Sequence, residues 1–257
     1  MLVKGKELVN VGGRRQEERP QARWIYGVNA VRRRLEVQPE SVFEVHLLPR
    51  TSGRLADVQR LAAGRVPVHT ADAGRLQRLA GTTAHQGVTA RTAAFRYREL
   101  EAVVEQGAGV VLVLDQLQDP QNFGALIRTA AAAGVDAVII PRHGAVGVTP
   151  VVEKVAAGAV NDVAVCQVSN LAQTLRWLRV RGFWSVGLAP AGVINLFDMD
   201  VARPVALVLG GEGGMRHLVE SLCDVVVSIP MKAGVESLNA SVAGALAMYE
   251  LRRKAPA

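Results

Sequence analysis

One repeating feature organises the second half of the chain. Five short, continuous apolar runs recur at Val110–Leu114, Ala137–Ile140, Trp184–Leu188, Val205–Leu209 and Val225–Ile229. Helical patterns lie between or after them, over Asn122–Ala133, Leu171–Val180 and Ala240–Arg253. A strand that is apolar at successive positions, and not only at alternate ones, has both faces buried. Such strands alternating with helices predict an α/β fold built on a parallel sheet. Parallel sheets bind ligands at the carboxyl ends of their strands. Function is therefore expected in the loops after Leu114, Ile140, Leu209 and Ile229.

The first half is patterned differently. Residues 1–22 are rich in Gly, Arg, Gln and Glu and poor in large apolar groups, so they are expected to form a flexible basic arm. From residue 23 the chain reads as a small α/β module. Strands are expected at 41–48, 66–70 and 87–95, with helices at 52–65 and 72–80. The stretch "RELEAVVEQGAG" reads as a connector. The organisation expected is an arm over 1–22, a front domain over 23–98, a linker over 99–109 and a second domain over 110–257.

Charge separates the two halves. The formal net charge is +7, and the sequence pI is about 10. Residues 1–34 hold nine Lys/Arg against three acids, and residues 35–100 hold nine Arg against six acids. The remainder holds twelve basic and fourteen acidic groups, so the whole excess lies in the first hundred residues. A basic half suits a polyanion such as RNA, and a near-neutral half suits chemistry. A solvated basic tail without a partner is the alternative. No apolar run approaches the roughly 18 residues of a membrane span, and no secretory signal is visible. Cys166 and Cys223 are too few for a disulfide framework and read as inert buried thiols, which suits a reduced, cytoplasmic setting. His46, His69, His85, His143 and His217 are scattered, so no metal site is expected. Neither G-x-S-x-G nor H-E-x-x-H occurs.

Three loops follow strand ends. In "LDQLQDPQNFGALIRTAAAAG" (114–134), Pro120 stops the strand, and Asp119 or Asn122 can cap the next helix. Arg128 stands on that helix between Gly124 and Ala132, where another surface can come close. It can meet an RNA phosphate or ribose, or pair with Asp115 or Asp119. In "VALVLGGEGGMR" (205–216), Gly210, Gly211, Gly213 and Gly214 leave the backbone bare around Glu212. An acid there repels phosphate and suits a cationic or hydroxyl-rich ligand, although a plain glycine turn is the simpler reading. In "IPMKAGVESLNASVAGALAMYE" (229–250), Ser237 and Asn239 precede the last helix. Either they only cap it, or they handle substrate.

In this order and spacing, "DPQNFGALIRTAAAAG", "LGGEGGMR" and "IPMKAGVESLNASVAGALAMYE" resemble the three signature motifs of the SPOUT superfamily of RNA methyltransferases. The branch resembled is the TrmH family, which methylates ribose 2′-hydroxyls. The front module, through "IYGVNAVRRRL" and "HQGVTA", is similar to the L30e-like substrate-binding domain of members that act on 23S rRNA. The resemblance implies a trefoil knot in the second domain, S-adenosylmethionine as methyl donor, and a homodimer with its active site near the subunit interface. It implies 2′-O-methylation of a guanosine in 23S rRNA, without a metal or a membrane. A tRNA methyltransferase of the same superfamily, or a non-catalytic ribosome-assembly factor, are the alternatives.

Carried over residue by residue, the resemblance makes Asn122, Arg128, Glu212, Ser237 and Asn239 the catalytic set. Arg128 matches the arginine that activates the 2′-hydroxyl, although a guanidinium is ordinarily a poor base. Leu209, Gly210, Gly211, Gly213, Ile229, Met231, Ser237 and Leu238 become the candidate cofactor-binding residues. Arg14, Arg15, Arg32, Arg33, Arg34 and Arg128 become the candidate RNA contacts. Two departures are visible. The glycine loop is one residue shorter than in some relatives, and Lys232 stands where a small or uncharged residue is usual.

Overall fold

Seven parallel strands form the main sheet, two more than the apolar runs predict. The computed structural model describes residues 22–49, 52–200 and 203–254. Arg14, Arg15 and the rest of the basic arm up to residue 21 lie outside the described residues.

The front unit is a four-stranded sheet. Its elements are β1 (Ala22–Tyr26), α1 (Val28–Val37), β2 (Val42–Leu47), α2 (Arg54–Ala62), β3 (Val68–Thr70), α3 (Ala73–Ala80) and β4 (Val88–Ala93). The strand order is β1-β4-β2-β3, with β4 antiparallel to β1 and β2, and β3 parallel to β2. Val31 and Leu35 of α1 and Val58 and Ala62 of α2 share a core with Ile25, Val45, Val88 and Ala90 of the strands.

The connector contains a helix, α4 (Leu100–Glu105), where none was expected. It is less than two turns long, too short for helical periodicity to register. Beyond it come β5 (Val110–Asp115), α5 (Pro120–Ala133), β6 (Ala137–Pro141), α6 (Pro150–Val155), β7 (Ala164–Val168), α7 (Leu171–Val180) and β8 (Trp184–Leu188). The chain ends with β9 (Ile194–Asn195), β10 (Val205–Gly210), α8 (His217–Glu220), β11 (Val225–Ser228) and α9 (Ala240–Arg253). The order is β7-β6-β5-β10-β8-β11-β9, and every pairing is parallel. The helices expected at 171–180 and 240–253 have the expected limits.

Alternate residues of the central strands feed two cores. Leu112 and Leu114 of β5 pack with α5, α6 and α9, whereas Val111 and Val113 pack with α4 and α7. This is why β5 must be apolar at every position. Helix α5 lies between α6 and α9. A Cβ on Gly124 would fall 2.6 Å from Val155 Cβ, so the close approach expected beside Arg128 is made by α6.

A buried charge triad joins the two units. Glu153 of α6 is 1% exposed and accepts hydrogen bonds from Arg34, at 3.0 Å, and from Arg23. Arg23 also donates to the Val148 carbonyl at 2.6 Å, and the Val148 N–H donates to the Tyr97 hydroxyl at 2.9 Å. At the rim of the seam, Arg33 clasps Asp162. Among the described residues, no helix is long and apolar enough to cross a membrane.

Candidate active site

Strands β5 and β10 run side by side, with Leu114 opposite Leu209 and Asp115 opposite Gly210. At their carboxyl ends the chain of β10 doubles back. The Gly211 N–H donates to the Asp115 carbonyl at 2.9 Å, and Gly211 and Gly214 bridge each other. A Cβ on Gly210 would lie 2.0 Å from the Gly214 carbonyl carbon and 2.2 Å from the Met215 nitrogen. Only glycine allows that fold of the loop.

Asp115 anchors the far end of the loop. It is fully buried, and its carboxylate accepts from the Arg216 backbone N–H at 2.8 Å and from Arg216 Nε at 2.9 Å. Sequence reasoning did not find this pair as a unit. The signal available was an acid ending one apolar run and an arginine closing the glycine loop that follows another.

The third wall comes from the chain after β11. Asn239 is the N-cap of α9, and its Oδ1 accepts from the N–H groups of Ser241 at 2.9 Å and Val242 at 3.4 Å. The capping reading is therefore correct as far as it goes. The amide N–H donors of Asn239 have no protein partner among the described residues and remain available to a ligand.

Together these loops enclose a cleft of about 390 Å³. Leu188, Leu209, Ile229, Met231 and Leu238 give it apolar walls. Gly210 and Gly211 present bare backbone, and Asn122, Glu212, Ser237 and Asn239 supply the polar groups. Gly213 is exposed at the tip of its loop and does not line the cleft. Four of the five expected catalytic residues thus share one space, together with every expected cofactor residue except Gly213.

Arg128 is elsewhere. It follows Asn122 by six residues on α5, which turns it roughly 240° around the helix axis. It lines a second groove of about 410 Å³ with Asn29, Arg32, Arg33 and Arg54. The pairing alternatives for Arg128 do not hold, because Asp115 is engaged by Arg216 and Asp119 caps α5 through the Gln121 and Asn122 N–H groups. Arg34, expected to touch RNA, is 3% exposed and bound to Glu153, so it belongs to the domain seam.

The structure also brings together two of the histidines that look scattered in the sequence. Ligand atoms of Glu44, His46 and His69 lie within 4.8 Å of one another on β2 and β3. Arg91 already donates to Glu44 at 2.6 Å, so the carboxylate has a cationic partner in place. Burial, opposed by Glu44, holds the His46 imidazole below its usual range.

Residues 109–249 match the sequence model of the SpoU rRNA Methylase family. The chain belongs to that family. Its front unit, residues 24–98, matches a second model, RNA 2′-O ribose methyltransferase substrate binding. Among relatives of this SpoU chain, one from Xanthomonas campestris named 23S rRNA (guanosine-2′-O-)-methyltransferase RlmB is 42% identical, over 91% of this chain and 97% of the relative. A Bordetella pertussis protein of the same name is 44% identical, over 90% and 96%. In architecture, the chain is similar to the SpoU methyltransferase AviRb from Streptomyces viridochromogenes, solved in complex with the cofactor AdoMet. The TM-score is 0.77, with 24% identity and 94% of each chain covered, a likeness of fold.

Proposed function

We propose that this chain methylates the ribose 2′-oxygen of a guanosine in 23S rRNA, with S-adenosylmethionine as donor. The observation that carries the reading is the convergence of Asn122, Glu212, Ser237 and Asn239 in one cleft at the ends of β5, β10 and β11. Relatives bearing that activity in their names match along nearly their full length, front domain included. The same reading sets the protein at work on rRNA in the cytoplasm.

The cleft fits the donor. Its volume falls within the roughly 300–1,000 Å³ of small-molecule sites, with apolar walls and few polar groups. Adenine and a thioether suit Leu188, Leu209, Ile229 and Leu238, and the bare backbone at Gly210 allows close approach. The Glu212 carboxylate at its edge suits a cationic group such as a sulfonium and would repel a phosphate. When bound, S-adenosylmethionine supplies a methyl group already activated on a sulfonium. The protein's contribution is then proximity and orientation. In this reading, Ser237 and the Asn239 amide hold the ribose, and the leucine walls exclude water.

Arg128 faces away from the cleft of its own chain, which supports a homodimer in which α5 carries it to the partner subunit's cleft. There it steers the phosphate beside the target ribose and activates the 2′-hydroxyl. An apolar stripe on and before α9, formed by Val235, Leu238, Val242, Leu246 and Tyr249, is 37–51% exposed and suits such an interface. We also infer a knotted path. Strand β11 enters the sheet between β8 and β9, and β9 belongs to the connection from β8 to β10. The chain end thus runs inside that connection before α9 packs on α5.

The test is ribose-methylation mapping of total RNA from a strain lacking the protein, complemented by the wild-type chain or by Arg128→Ala. One 23S rRNA mark should vanish, return with wild type and stay absent with the variant. A missing tRNA mark would redirect the substrate, and unchanged rRNA methylation would overturn the reading.

A further inference from the structure

We propose that the seam between the two domains is a phosphodiester-binding groove for the RNA strand next to the methylated nucleotide, with Arg54 and Arg32 as phosphate ligands beside Arg128. This rests on the reading of the chain as an RNA methyltransferase. Nothing in the motifs points to Arg54.

The groove draws its walls from both domains. Arg32 and Arg33 come from α1, Arg54 from the first residue of α2, and Arg128 from α5. Its floor is small, with Ala156, Ala157 and Ala159 between the walls. A floor of methyl groups lets a polymer backbone lie close to the guanidinium forks above it.

The cations are not equivalent. Arg33 is committed, because its Nε donates to Asp162 at 2.9 Å and a terminal nitrogen donates to Glu36 at 3.3 Å. Arg32 stands 3.7 Å from Glu36, and its side chain is 42% exposed, so solvent screens that pair. Arg54 and Arg128 are exposed and have no ion pair or hydrogen bond among the described residues. Several guanidiniums facing one groove, with Asp162 the single lining acid among the described residues, repel one another until an anion enters.

The chemistry selects the ligand. Every uncommitted polar group at the walls is a guanidinium or the Asn29 amide, and guanidinium forks match phosphate oxygens two at a time. Among the described residues no aromatic ring lines the groove, so bases have nothing there to stack on. Contacts of this kind position a backbone without reading its sequence. Glu153 holds α1 against α6, so these two walls are in place before RNA arrives and the exposed arginine side chains are what binding must order.

The decisive experiment measures binding of a 23S rRNA fragment by the full-length chain across a salt series, for wild type, Arg54→Gln, Arg32→Gln, Arg54→Lys and Asp162→Asn. Each lost phosphate contact should lower the log K–log[salt] slope by about 0.7–0.9. Arg54→Gln should raise the KM for RNA several-fold, with kcat and S-adenosylmethionine affinity held within twofold. Arg54→Lys should recover most of the slope. Asp162→Asn should act with the opposite sign and tighten binding. Wild-type slope and KM in both Arg→Gln variants would overturn the groove. The slope needs no turnover, so the two readings fail separately. A chain that binds through these arginines yet methylates nothing would overturn the function and leave the groove standing.

Discussion

Replacing Glu153 by Gln keeps its shape and removes its charge. In the native protein one carboxylate oxygen serves two guanidiniums, and both Glu153 and Arg34 are almost completely buried. Burial holds the Arg23 guanidinium below its ordinary value, and the Glu153 charge opposes that shift. Without the carboxylate, two cations share a dry seam with no counterion. Removing one partner of a buried ion pair costs about 3–5 kcal/mol. Arg23 retains some solvent, with a side chain 19% exposed, so the lower end of that range applies. About 3 kcal/mol corresponds to a fall of roughly 6–12 °C in melting temperature for a chain of this size. Scanning calorimetry measures it. The double variant Glu153→Gln/Arg34→Met should recover part of the loss, because an apolar replacement removes the stranded charge as well as its partner. A melting temperature within 2 °C of wild type for Glu153→Gln would refute the buried-triad argument.

Asn239 separates its two roles by chemistry. Asn239→Asp keeps the capping oxygen but loses the amide donors, so stability should stay within about 0.5 kcal/mol while methylation falls at least tenfold; Asn239→Ala should also lose about 1 kcal/mol of helix capping. Chemical denaturation and a methyl-transfer assay, run on the same samples, read the two effects. The thiols give a pH test. Burial pushes Cys166 up to about 11 and Cys223 up to about 12, so both are protonated near neutrality. Cys166 is buried and Cys223 is half-buried, where two buried thiols were expected. Iodoacetamide at pH 8 should leave both unmodified by mass spectrometry, and rapid labelling of either would contradict its raised pKa.

The parts of the fold legible in the sequence were those with long repeats. Helices α7 and α9 have enough turns for their apolar faces to show, and Asn239 marks the start of α9 by its capping chemistry. Strand β7, "AVCQV", is interrupted by the polar Gln167 next to its end, and helix α6, "PVVEKV", has only six residues, too short for its period to stand out. The three consecutive arginines of α1 look alike as letters. The helical turn separates them, since Arg34 falls with Val31 and Leu35 on the buried face while Arg32 and Arg33 face the groove. The cleft residues were legible because each follows a strand end. Arg54 was not, because a lone arginine opening an ordinary helix carries no pattern. Only the docking of the two domains sets it beside Arg128.

Strand β11 is the last strand among the described residues, yet it is flanked on both sides, by β8 and by β9. Synthesis at roughly 5–20 residues per second lets early domains fold while later ones are still unmade. The front sheet is complete once Ala93 has emerged, whereas the cleft requires Asn239 and α9, at the far end of the chain. A nascent chain can therefore present a finished front domain while the cleft proposed for the methyl donor does not yet exist. On the knotted path proposed above, insertion of β11 between its neighbours and docking of α9 would close the assembly. Truncation ahead of Ala240, which removes α9, should leave a folded front domain attached to an unfinished catalytic one.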